Sequence, residues 1–179
     1  DREKEVVDTL RRLIEDARRD NKDLVETHRR LLEDLERDNR ELVRTHEERL
    51  EEIERRARRG DDDTFLKKLE DESRDVVRDS ERHLEENKRK STKIVKDTKD
   101  HVDRNRKKIK KILDEAVREV GKEAEDVRRL EKEVEELLRE SDRRVEDLER
   151  KNREILKRSE DLIRRLKEEN RRIIEKVRK

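Results

Sequence analysis

The segment from Asn21 to His28, NKDLVETH, returns 18 positions later as NRELVRTH from Asn39 to His46. Eighteen residues make five turns at 3.6 residues per turn, so a residue and its copy lie on one line of a straight α-helix. A seven-residue apolar repeat winds helices into a left-handed supercoil and an eleven-residue repeat into a right-handed one. Eighteen is the sum of the two, which predicts long helices that run nearly straight. The spacing recurs in His83 and His101, Asn87 and Asn105, and Ser80 and Thr98, then in Leu130, Leu148 and Leu166, Ser141 and Ser159, and Asn152 and Asn170. Each stretch keeps its own set of residues, so the repeat lies within helices and is not a solenoid of short units.

Helix breaks are few. There is no proline, and the two glycines, Gly60 and Gly121, cut 179 residues into near-equal thirds. Ahead of Gly60 stand Arg55, Arg56, Arg58 and Arg59, suited to a helix C-terminus. After it come Asp61, Asp62 and Asp63, candidate N-caps for the next helix, with Gly60 as the C′ residue. Gly121 reads as a second C′ residue, followed by Glu123, Glu125 and Asp126 in a new first turn. It is the weaker signal, because one glycine inside a helix costs only ~1 kcal/mol. The expected fold class is all-α: one domain over 1–179, an antiparallel three-helix bundle with helices at about 2–59, 63–120 and 123–179. Each helix would be roughly 85–90 Å long, giving a coiled-coil-like rod.

Composition closes off other classes. Charged residues make up 61% and hydrophobic ones 26%, too little apolar volume for an ordinary globular core, yet the apolar residues are periodic, unlike those of a disordered tract. Lysine and arginine number 55 against 54 acids, interleaved as on solvated helix faces. Stretches such as ERRARR and NKRKSTK have acids close by, and Phe65 is the only aromatic, so no nucleic-acid partner is expected. No apolar run approaches the ~20 residues of a membrane span, and no segment has a signal-peptide pattern; a soluble chain without a membrane partner is the expectation. Without cysteine there is no disulfide or thiolate chemistry.

The unusual feature is polar residues on the apolar stripe. Antiparallel pairing around Gly60 joins residues whose numbers add to about 120, and pairing around Gly121 those that add to about 242. On that arithmetic four layers form, each with one His, one Asn and one Ser from different helices: Asn21/His101/Ser141, His28/Ser91/Asn152, Asn39/His83/Ser159 and His46/Ser73/Asn170. Asn87 and Asn105 stay unassigned, facing Leu35 and Ala17. Each layer satisfies its own donors and acceptors, which matters because a buried unpaired polar group costs ~1–3 kcal/mol. Leucine and valine alone would let such helices slide by a turn, whereas a slip here strands every Asn and His against hydrocarbon. The layers are therefore expected to set register and orientation.

These layers, the short glycine loops, the Glu/Arg/Lys/Asp surface and an alphabet lacking Cys, Met, Pro, Trp, Tyr and Gln resemble de novo designed helical bundles with modular buried hydrogen-bond networks. The resemblance covers the whole chain. It implies a structural scaffold without natural activity or native compartment, soluble in the cytoplasm of an expression host. It also admits an assembly subunit, a half that binds a further helix, or a pH-responsive switch through its histidines. A monomer would need no partner; the stripes widened by Leu13, Leu31, Leu66, Leu84, Val102, Val127, Val145 and Ile163, with Asn87 and Asn105 unassigned, admit self-association or a partner helix. Same-helix histidines stand 18 apart, not three or four, so no metal is expected, and with no forced Ser/His/Asp geometry neither catalytic residues nor a cofactor.

Overall fold

A computed structural model describes residues 2–60 and 62–178 as three α-helices: α1 Arg2–Arg59, α2 Asp63–Val120 and α3 Glu125–Arg178. Among the described residues there is no strand, and no helix is long and apolar enough to cross a membrane. The fold is an antiparallel three-helix bundle in which α2 runs against α1 and α3.

The helix ends follow their local chemistry. Asp62 Oδ1 accepts the Thr64 amide at 3.2 Å, capping the start of α2. Asp61, also a candidate cap, lies outside the described residues. Arg56, Arg58 and Arg59 stand in the last turn of α1, and Glu125 and Asp126 in the first turn of α3, each sign suited to the helix dipole.

The two glycines act differently from one another. Gly121 alone among the described residues has a positive φ, 106°, and its amide closes α2 onto the Val117 carbonyl at 3.0 Å. It is the genuine left-handed stop, although its sequence signal is the weaker one. A turn then delays α3 to Glu125, two residues later than expected. Gly60 has no left-handed φ; its amide makes a 3.4 Å bond to the Ala57 carbonyl. Glycine is needed there for space, since a Cβ would stand 2.4 Å from Cδ1 of the Phe65 ring.

The chain divides into two compact units, each drawing on all three helices. The first comprises Asp1–Leu31 and Lys93–Lys151, the second Leu32–Thr92 and Asn152–Lys179. The first packs Val7, Ile14, Ile109, Val127 and Leu130 out of solvent; the second does the same with Leu50, Leu69, Val76, Leu166 and Ile173. Each such side chain contributes about 1.5–3 kcal/mol by leaving water. Two large apolar side chains of the first unit stay exposed, Leu13 at 46% and Leu31 at 43%.

Candidate functional site

Polar side chains interrupt the apolar stripe in both units. In the first unit Asn21, 2% exposed, donates from Nδ2 to Ser141 Oγ at 3.1 Å. Its Oδ1 accepts Asn105 Nδ2 at 2.6 Å, and the same Asn105 nitrogen reaches Asp20 Oδ2 at 3.0 Å. His101 Nε2 meets that carboxylate oxygen at 2.7 Å, so the network runs from the interior to the surface. The Asn105 hydrogen bond, then that of His101, holds the Asp20 carboxyl below its ordinary value against a smaller effect of burial.

The second unit repeats the interior part 18 residues on. Asn39 Nδ2 donates to Ser159 Oγ at 3.2 Å, and Asn87 Nδ2 donates to Asn39 Oδ1 at 2.6 Å. Ser159 passes its own hydrogen to the Ile155 carbonyl at 2.9 Å.

Histidine makes a second kind of contact. His28 Nδ1 pairs with Thr98 Oγ1, and His46 Nδ1 with Ser80 Oγ. Thr98 has one hydroxyl hydrogen and gives it to the Ile94 carbonyl at 2.9 Å. With that hydrogen on the carbonyl, the His28 tautomer protonated at Nδ1 is the one that donates to Thr98. Burial pushes both imidazoles below their ordinary value: for His28, His101 adds to this and Asp97 opposes it, while for His46, Arg49 and His83 add and Asp79 opposes.

Of the expected layers, then, the structure brings together Asn21 with Ser141 and Asn39 with Ser159, but not their histidines. Asn105 takes the place assigned to His101, and Asn87 that assigned to His83, which lies exposed. Ser91 and Ser73 are fully buried but bond their own helix, at the Lys88 and Glu70 carbonyls, and not His28 or His46. The amide oxygens of Asn152 and Asn170 are buried and meet no partner among the described residues.

The cause is a register shift. Asn21 with Asn105, His28 with Thr98, Asn39 with Asn87 and His46 with Ser80 all pair residues whose numbers add to 126, not about 120. Lys99 with Glu149, Arg106 with Asp142 and Glu81 with Lys167 add to 248, not 242. Helical side chains lean toward their own N-terminus. At each turn the incoming helix leans away from the loop and the outgoing helix toward it, so side-chain partners add to more than the loop midpoint implies.

The chemistry open to this arrangement is narrow. A groove beside the second layer is lined by Glu36, Asn39, Arg40, Arg158 and Ser159 with Ile155 and Leu162. Glu36 is held there by Arg40 at 2.9 Å and Arg158 at 2.8 Å, and the Ser159 hydrogen is committed to a carbonyl, which leaves no base poised on a nucleophile. Among the described residues no three His, Cys, Asp or Glu side chains gather as a metal would need.

No family model and no curated protein matches the chain. Among solved structures it is similar to a computationally designed three-helix bundle, at 18% identity and a TM-score of 0.57, over 99% of this chain and 87% of that one. By its own helices and by that likeness, the chain has the fold of a three-helix bundle with hydrogen-bonded polar residues in its core.

Proposed function

We propose that the chain is a designed structural scaffold, soluble and without natural activity, in which buried polar contacts set helix register. The observation that carries this reading is the recurrence of one Asn–Asn–Ser arrangement 18 residues apart, once in each unit, with its amide groups turned on one another. The fold of its designed counterpart and the restricted alphabet support it. An apolar replacement of both arrangements, Asn to Leu and Ser to Ala, tests it. The scaffold reading expects higher thermal stability together with cross-links in more than one register. A variant that keeps a single register with sharp amide resonances would count against it.

His28 and His46 favour a second reading, a pH-responsive bundle, since both are depressed by burial and bonded through Nδ1. Exposed Leu13 and Leu31 are the observation behind a partner helix or self-association, for which solution mass by light scattering is the test.

A further inference from the structure

An 18-residue repeat carries a hazard that the polar layers cannot remove. Moved by 18 residues, α3 would bring Ser159 to Asn21 where Ser141 now sits, so one of the two Asn–Ser contacts survives that step and the layers oppose it only in part. Another property of the molecule distinguishes the two registers.

In the first unit α3 meets its neighbours with acids. Glu133 pairs with Arg11 at 3.3 Å, Glu140 with Arg18 at 3.9 Å and Glu149 with Lys99 at 3.2 Å, and Asp142 pairs with Arg106. In the second unit α3 meets them with bases. Arg158 pairs with Glu36 at 2.8 Å, Arg165 with Glu47 at 3.0 Å, Lys167 with Glu81 at 3.0 Å, Arg172 and Lys176 with Glu54 at 3.3 and 2.7 Å, and Arg178 with Glu70 at 3.2 Å. The sign reverses on α3, and the α1 and α2 residues it meets reverse with it.

The loops decide which misalignment matters. Gly121 to Ala124 span at most about 17 Å when extended, whereas an 18-residue shift moves a helix about 27 Å. A shifted α3 must therefore come from a second copy of the chain, swung out at Gly121. Because each such exchange leaves an end unfilled, it is open-ended, and a chain of copies follows.

We infer that the reversal of charge along α3 is the element that excludes staggered exchange of α3 between copies, given the reading of the layers as register-setting devices. In the shifted register Lys151 faces Arg11, Arg158 faces Arg18 and Lys167 faces Lys99; only Glu160 against Arg106 remains attractive. Shifted the other way, Glu140 faces Glu36, Asp147 faces Glu47 and Glu149 faces Glu81. In each case most apolar positions and one of the two Asn–Ser contacts are matched, Val134 and Asn152 being the apolar exception, whereas most of the flanking charges oppose.

The test reverses three ion pairs of the first unit in place, as R11E/E133R, R18E/E140R and K99E/E149K. Each native pair survives with its sign exchanged and net charge is unchanged, but α3 is now basic toward these partners in both units. Native chain and variant are annealed and compared by light scattering on a sizing column. Isotopically labelled and unlabelled chains are then mixed and cross-linked. The variant should show a rise of about tenfold or more in the fraction above the native mass, with cross-links between copies offset by 18 residues. An unchanged mass distribution overturns the inference while leaving the layers' role intact. Larger species offset by a single turn overturn it and the layer reading together. Should the variant not fold, the native chain annealed in molar salt decides the matter, because exposed pairs are screened there. Staggered species should then rise with salt, and their absence overturns the proposal.

Discussion

Asn39→Leu should destabilise the protein, and a triple change that includes it should do the reverse. Asn39 is 3% exposed and holds Asn87 and Ser159 through one bond each. Losing two bonds costs about 2 kcal/mol, and Asn87, half-buried, is left with a donor that water reaches only in part, for about 1 kcal/mol more. A buried leucine returns about 2 kcal/mol. Ser159 is spared because its hydrogen already goes to the Ile155 carbonyl. The single variant should thus lose about 1 kcal/mol. Asn39→Leu with Asn87→Leu and Ser159→Ala strands nothing and should exceed the parent by about 2 kcal/mol, provided the larger side chains fit. Guanidinium unfolding followed by circular dichroism reads the order of midpoints, expected as triple, parent, single with a constant slope. A single variant at or above the parent, or a triple below the single, would falsify the claim that these residues satisfy one another.

Other changes probe separate features. His28 and His46 have depressed folded-state values, so their contribution is present above the unfolded pKa of ~6.5 and is lost as pH falls from there through the folded value. The melting temperature should drop between pH 7.5 and 5.5, and His28→Leu with His46→Leu should flatten that slope; a parent with no slope refutes the assignment. Gly60→Ala should destabilise through the Phe65 ring and recover with Phe65→Leu, while Gly121→Ala, with nothing within 4 Å of its added methyl, should lose about 1–2 kcal/mol to its backbone angle alone and find no rescue at a neighbour. Glu54, 9% exposed and bonded to Arg58, Arg172 and Lys176, should cost about 1–2 kcal/mol as Ala. Glu52→Ala, at an exposed pair with Arg55, should move the midpoint little.

Helix number, helix ends and the buried stripe were legible because they rest on local spacing and on two glycines. Register across helices was legible only in part. The parallel pairs of α1 and α3 follow from the difference between two turn constants, where the lean of side chains cancels; Asn21 with Ser141 and Asn39 with Ser159 therefore emerge from simple arithmetic. The antiparallel pairs follow from sums, where the lean accumulates, and His28 and His46 were matched to Ser91 and Ser73, about two turns from their contacts Thr98 and Ser80. Asn87 and Asn105 looked redundant for that reason alone. Ser80 and Thr98, His partners in the structure, carried a visible signal in their 18-residue spacing. Asp20 carried none, being one acid among many.

The second unit's amide chain has a consequence for where its hydrogens reside. Asn87 gives to Asn39, Asn39 to Ser159, and Ser159 to the Ile155 carbonyl. A backbone carbonyl has no hydrogen to give back, so this sequence of donations ends there. Ice allows each molecule several proton placements, and most hydroxyl networks inherit some of that freedom. Here, turning the Asn39 amide over would set its donors against those of Asn87 and release the Ser159 hydrogen from its carbonyl. The bonds consequently polarise one another in a single direction, from Asn87 toward the Ile155 carbonyl.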